Sequence, residues 1–239
     1  MFCYCANNLD GKNLMSNISI AIDGPSASGK STIAKILATK LGYIYIDTGA
    51  MYRAYTLAVL RAGLNPQDEK ACCSLINKVK IWFNKENHVT LNDEDVGEEI
   101  RKNNVADNVS YISTYKDIRV HLVDLQRELA SNNNVIMDGR DIGTHVLPNA
   151  TVKIFQVADA DMRAKRRYME NLEEGIPSTE EECLANLKKR DYIDSHRSVN
   201  PLKAADDAII VDTTYLTISE VVDKVLKIIK EKEIEKGIK

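Results

Sequence analysis

No stretch of this chain constrains its fold more than Ile18-Ser19-Ile20-Ala21-Ile22-Asp23-Gly24-Pro25-Ser26-Ala27-Ser28-Gly29-Lys30-Ser31-Thr32. It opens as an apolar run rich in β-branched residues, which predicts a buried strand. Gly24-Pro25 marks a turn, and Ile33-Ala34-Lys35-Ile36-Leu37-Ala38 has helical periodicity. Strand, glycine loop and helix in this order are the setting in which G-x-x-x-x-G-K-[ST] reads as a phosphate-binding loop.

The chemistry needs these residue types. Gly24 and Gly29 allow backbone turns that a Cβ would forbid, so successive N–H groups converge on one phosphate. A helix starting near Lys30 adds the positive end of its dipole. Lys30 supplies a mobile cation for the β- and γ-phosphates, and Ser31 a hydroxyl for the Mg²⁺ they carry. A bare Gly/Ser turn is the alternative, and it explains neither Lys30-Ser31 nor the flanking elements. The loop predicts a nucleoside triphosphate site.

With 239 residues the chain is long enough for a substantial core, as one domain or one with inserted subdomains. Its 44% apolar and 28% charged content is that of a soluble globular protein. A net charge of −3 argues against a nucleic-acid surface. No apolar run reaches the roughly 18 residues of a membrane span. Cys3, Cys5, Cys72, Cys73 and Cys183 form no C-x-x-C pair and are odd in number, so neither a disulfide framework nor a zinc site is expected. With no secretory signal, a cytoplasmic setting is expected. Met1 to Leu14 is too polar for a signal peptide and is expected to be a disordered extension ahead of a natural start at Met15.

Gly42 to Asp47 predicts a second strand and Met51 to Leu60 a helix with Met51, Tyr55, Ala58 and Val59 on one side. This alternation predicts a parallel sheet with crossover helices. Residues 63–107 break the pattern. Cys72 to Val79 reads as a helix, Lys80 to Asn84 and His88 to Asn92 as two strands, and the whole as a small inserted subdomain. Ile118 to Ser131 reads as an amphipathic helix whose apolar part is Val120, Val123, Leu125 and Leu129. Val135 to Asp138, Val152 to Val157 and Ala208 to Asp212 complete five strands, and Ile218 to Ile229 closes the chain as a helix. Between the last two strands, residues 159–200 are dense in charge, with Arg163, Arg166, Arg167, Arg190 and Arg197. Such a segment is either a solvated helical pair or a lid that closes on polyphosphate. The expected architecture is an α/β P-loop fold in three layers: a core of residues 16–62, 108–158 and 201–239 around a five-stranded parallel sheet, the insert, and the lid.

Asp138 closes an apolar strand beside the phosphate loop, where an acid serves Mg²⁺ through water. Thr48, Arg53 and Arg140-Asp141 follow the carboxyl ends of strands, where ligands sit in open α/β sheets. A second anion there would take Arg53, Arg119 or Arg140 as a planar fork, and Asp141 would accept from an exocyclic amine.

Four motifs together resemble the bacterial-type cytidylate kinases. They are Ile22 to Thr32, Asp47-Thr48-Gly49-Ala50-Met51-Tyr52-Arg53, Asp138-Gly139-Arg140-Asp141-Ile142-Gly143-Thr144, and Arg190-Asp191 with Asp194 and Arg197. Asn200-Pro201-Leu202, Ala205 to Ala208 and Asp212-Thr213 extend the likeness, which runs from about Asn17 to about Lys230. The resemblance implies ATP on the loop Gly24 to Thr32 and CMP or dCMP as acceptor. It places Thr48, Tyr52, Arg53, Ser110, Arg119, Arg140, Asp141, Arg190, Asp194 and Arg197 around that acceptor. Within the set, Asp141, Arg119 and Ser110 lie by the cytosine, Arg53 and Arg197 by its phosphate, and Arg190 and Asp194 by its sugar. Arg163, Arg166 and Arg167 fall in the lid near the transferred group. Lys30, Arg140, Arg190 and Arg197 form the implied catalytic set, with Mg²⁺ held by Ser31 and, through water, Asp138. A monomer is implied as well.

Tyr192, Ile193, Ser195 and His196 depart from the more charged residues of relatives. His88, His121, His145 and His196 are read as structural, since phosphoryl transfer needs no histidine base. The rival readings are a kinase for UMP, dTMP, shikimate or dephospho-coenzyme A, and a nucleotide-switched binding module. The guanine-reading N-K-x-D of such switches is absent. A basic lid that grips RNA is opposed by the acidic balance.

Overall fold

The computed structural model describes residues 17–84 and 86–238. The expectation for Met1 to Leu14 lies outside them. Five strands form one parallel sheet: β1 (Ser19–Asp23), β2 (Ile44–Asp47), β6 (Val135–Gly139), β7 (Val152–Val157) and β8 (Ile209–Asp212), in the order β2-β6-β1-β7-β8. β1 sits at the centre with Asp23 opposite Gly139 on one side and Phe155 on the other. Near-continuous burial of β1 and β6 fits strands covered on both faces. Chain direction at β1 and β6 therefore delivers the phosphate loop and the Asp138 to Asp141 run to the same edge.

Helix α1 (Lys30–Leu41) and helix α9 (Ile218–Glu235) cover one face, where Ile33, Leu37, Val221, Val225 and Ile229 meet Ile20, Ile22 and Ile154. Helix α2 (Thr48–Arg61) and helix α6 (Lys116–Ser131) cover the other. These are the three layers expected.

α2 is buried almost all round, from Thr48 to Val59, not along one side. The reason is the insert, which packs on its outer flank. Residues 63–107 hold helix α3 (Glu69–Cys73), a three-stranded antiparallel sheet of β3 (Ile81–Phe83), β4 (Val89–Leu91) and β5 (Glu94–Asp95), and short helix α4 (Asn103–Ala106); short helix α5 (Val109–Ile112) follows them. The insert's Ile81, Val89, Leu91, Val96, Ile100 and Val105 share a core with α2. Arg61 at the end of α2 forks onto Glu94 at 2.7 and 3.0 Å and also bonds Glu99.

Two local expectations need correction. The helix expected over Cys72 to Val79 is instead α3, ending at Cys73, with turns beyond; Asp68 caps it by accepting from Ala71 N, which moves its start forward. In α6, Val120 is 52% exposed, and the buried stripe is Ile118, Arg119, Leu122, Val123 and Gln126. Arg119 takes part in that stripe because it faces the acceptor-side cavity, where it lines the wall with Asp141. Residues 159–200 form a helical pair, α7 (Ala160–Glu173) and α8 (Glu180–His196), with its own small core of Ala164, Cys183 and Leu187 resting against Ala27 of the phosphate loop.

Candidate active site

The phosphate loop is shaped by backbone crowding. Gly24 has φ 149°, and a Cβ there would lie 2.0 Å from the Gln156 carbonyl oxygen. Ala27 holds φ 57° without being glycine, a conformation enforced by its neighbours. Gln156 of β7 donates to Ser28 O, as does Thr213 Oγ1 at 3.3 Å. Gly29 caps α1 with no side-chain acceptor, and no acid sits in the first turn. The first amides of α1 are thus left to an anion.

Lys30 is buried, and its ammonium donates to Pro25 O at 2.6 Å and Ser28 Oγ at 3.2 Å. Burial, helped by Arg140, pushes it down to about 7, against the pull of Asp138 and Asp23. Asp138 accepts from Ser31 Oγ at 2.8 Å and from Tyr45 OH at 2.9 Å. Burial, then repulsion from Asp47, raises it to about 6. A hydroxyl and a carboxylate side by side are hard oxygen donors suited to Mg²⁺. Among the described residues no group of three or more His, Cys, Asp or Glu could hold a metal. The ion would complete its shell with phosphate oxygens and water.

Across the loop, a cavity of ≈ 140 Å³ collects the second half of the site. All ten residues expected at the acceptor line it: Thr48, Tyr52, Arg53, Ser110, Arg119, Arg140, Asp141, Arg190, Asp194 and Arg197. They come from α2, α5, α6, the end of β6 and α8 with its C-cap. Asp141 accepts from Arg119 Nη2 and, at 3.1 Å, from Arg197 Nη2. Arg119 also donates to Ser113 O at 3.1 Å, and its guanidinium lies 5.5 Å from the Tyr52 ring centre. Asp194 accepts from Arg140 Nε at 2.9 Å, and Arg197 Nη1 stands 3.9 Å from it. Burial works against ionised Asp194, but Arg140, Arg197 and Arg190 hold it below the usual carboxylate range. Arg190 has a buried Nε with no partner, and burial with Arg140 lowers it to about 10. Arg53 bonds Asp47 at 3.1 Å.

On the far side of the loop a cavity of ≈ 750 Å³ is lined by Gly29, Lys30, Arg166, Met169, Thr213 and Leu216 among others. The phosphate loop thus stands between two cavities, lining both through Ala27, Lys30 and Ser31. A family model described as cytidylate kinase matches residues 20–231. This chain belongs to the cytidylate kinase family. A relative named cytidylate kinase from Leuconostoc mesenteroides is 52% identical over 219 residues, covering 90% of this chain and 98% of its own. Relatives of the same name from Anoxybacillus flavithermus and Lactobacillus johnsonii are each 50% identical, over 90% and 93% of this chain.

Within this cytidylate-kinase chain the arginines of the helical pair make separate contacts. Arg163 donates to Ser26 O at 3.0 Å and to Asp191 at 2.6 Å, tying the helical pair to the phosphate loop. Arg166 donates to Thr213 O at 2.6 Å. Arg167 pairs with Glu170 at 3.1 Å and lines the cavities on both sides of the loop. Arg197, expected by the acceptor phosphate, and Asp141, expected by the base, bond each other directly.

Tyr45 and Gln156 carry no signal in the sequence, and Asp23 and Asp191 stand in quoted motifs without an assigned role. Asp191 accepts from Ser26 N at 3.2 Å as well as from Arg163. The Arg190-Asp191 pair could have flagged Asp191. Tyr45 looked like one more aromatic in an apolar strand. The histidines take no part in the acceptor cluster: His88 pairs with Asp95, and His196 stacks on Tyr192.

Proposed function

We propose that the chain transfers the γ-phosphoryl of ATP to CMP or dCMP, giving ADP and CDP or dCDP. The observation that carries this reading is the union of a phosphate loop with an acceptor cavity in which one carboxylate, Asp141, faces Arg119. A carboxylate accepts from the exocyclic amine of cytosine, and the guanidinium donates to the neighbouring ring nitrogen and carbonyl. Uracil, with a carbonyl in place of the amine, would face Asp141 with like lone pairs.

The attacking group is an oxygen of the CMP phosphate, already anionic at neutral pH, so no general base is needed. Catalysis is then positioning and charge neutralisation. The α1 amides and Lys30 hold the donor phosphates, while Arg53, Arg140, Arg190 and Arg197 hold the acceptor phosphate and sugar in line. Ser31 and Asp138 would hold Mg²⁺, which supplies neutralisation of the developing charge when bound. The helical pair, fastened through Arg163 and Asp191, keeps bulk water from the γ-phosphate. Among the described residues no helix is long and apolar enough to cross a membrane, in keeping with work in the cytoplasm on free nucleotides.

Phosphorus NMR of a mixture of protein, Mg-ATP and CMP tests the reaction directly. Growth of CDP and ADP signals in equal amounts supports it. Free phosphate without CDP would mean hydrolysis and would overturn the acceptor assignment.

A further inference from the structure

Asp141 sits at the N-cap of a single wide helical turn, Ile142–Val146, whose backbone bonds run from Val146 N to Asp141 O and from Leu147 N to Ile142 O. Aspartate in that place normally folds back to accept from the first free amides of the turn. Here it makes no such bond. Its carboxylate is turned instead to Arg119 and Arg197 in the acceptor cavity. The amides it leaves behind are not orphaned. Asp23, the last residue of β1, accepts from Ile142 N with one oxygen and from Gly143 N with the other, both at 2.8 Å. Asp23 is only 4% exposed, and each of its oxygens already accepts from a backbone amide. The residue after it, Gly24, begins the phosphate loop.

We infer that Asp23 is a positioning residue for acceptor-base recognition: by capping the Ile142–Val146 turn from another strand, it frees Asp141 to read the base. The burial of a second carboxylate is the cost of this arrangement, offset by two charge-assisted bonds from backbone amides. Without Asp23 the cheapest partner for Ile142 N and Gly143 N is Asp141 itself. Its side chain would swing back onto the turn and leave Arg119 and Arg197 without their shared acceptor. Asp23 also joins the two halves of the site, since a shift of β1 that moves the phosphate loop moves the turn that carries Asp141.

The inference rests on the reading of CMP as acceptor, and a double-mutant cycle with Asp23→Asn and Asp141→Asn separates the two. Asparagine keeps the size of Asp23 but replaces one acceptor oxygen with a donor. Expected for Asp23→Asn is a rise of about tenfold or more in KM for CMP and a similar fall in the CMP/UMP ratio of kcat/KM. That is the scale of one lost charge-assisted bond. In the Asp141→Asn background, Asp23→Asn should change that ratio by less than about twofold, because the reader it positions is already gone. If Asp23→Asn accumulates poorly, Asp23→Ser, with one acceptor oxygen in place of two, enters the same cycle. An unchanged CMP/UMP ratio in the single variant, or equal losses in both backgrounds, overturns the positioning role. Absence of CMP turnover in the unmutated protein would instead remove the acceptor reading, and the inference with it.

Discussion

Arg197→Ala probes the acceptor cluster most sharply, because the structure bounds what it costs the fold. The Arg197 side chain is 2% exposed and bonds Asp141 at 3.1 Å and Asn200 O at 2.8 Å, with Asp194 at 3.9 Å. Stranding a buried carboxylate alone costs about 3–5 kcal/mol. Neither acid is stranded here, since Asp141 keeps Arg119 and Asp194 keeps Arg140. The loss is then nearer about 1.5–3 kcal/mol, the range for hydrogen bonds to charged groups. At roughly 2–4 °C per kcal/mol for a chain of this size, Tm drops by about 3–12 °C and the protein stays folded at 25 °C. Turnover suffers more. Removing one preorganised donor from a developing anion costs about 10²–10³ in kcat. Arg197 bonds none of the phosphate loop, so the dissociation constant for an ATP analogue should hold within about twofold. Steady-state kinetics with CMP, analogue binding by fluorescence and a thermal melt check the three parts. Turnover within threefold of the unmutated protein, or analogue affinity falling in step with turnover, would refute the assigned role.

Three further outcomes follow from the same geometry. Asp141→Ala should lower the CMP/UMP ratio of kcat/KM by about 10–150-fold, the worth of one hydrogen bond to a charged group; an unchanged ratio would mean that another residue reads the base. Lys30, lowered to about 7 by burial and Arg140, is mostly neutral at pH 8 and mostly charged at pH 6. Mg-ATP phosphates favour the charged form, so binding should take up protons at pH 8 and few at pH 6. Calorimetry in buffers of differing ionisation enthalpy measures that uptake, and Lys30→Met should abolish it. Asp138→Asn should raise the Mg²⁺ concentration needed for half-maximal rate by about 10–100-fold, as for loss of an outer ligand partner, while KM for CMP holds.

Much of the site could be read from residue order because its parts are local. A phosphate loop is one strand, one turn and one helix, and Gly24, Gly29, Lys30 and Ser31 announce it without tertiary information. The parallel sheet was equally legible, since buried strands such as Val135 to Asp138 stand out as short apolar runs between helices. Residues whose role depends on a distant partner were hidden. Asp23 looked like any acid after a strand, and its value comes from two amides more than a hundred residues away. Val120 is the converse case: its apolar side chain at near-helical spacing points to the core in the sequence, while in the structure Arg119 and Gln126 are buried and Val120 is exposed. A helix that faces both a core and a charged cavity does not follow the apolar pattern alone. Likewise α2 carries apolar residues all round because the insert covers its outer side, a fact that its own sequence does not assign to any partner.

On the proposed function, one cavity reads cytosine while the loop beside it delivers phosphoryl. A coupled ADP-release assay with Mg-ATP against CMP, dCMP, UMP, AMP and GMP tests it most directly. Fast turnover is expected with CMP and dCMP, and kcat/KM for UMP, AMP and GMP lower by about 10²-fold or more. ATP binding with no turnover of CMP, or equal rates with CMP and UMP, would contradict it.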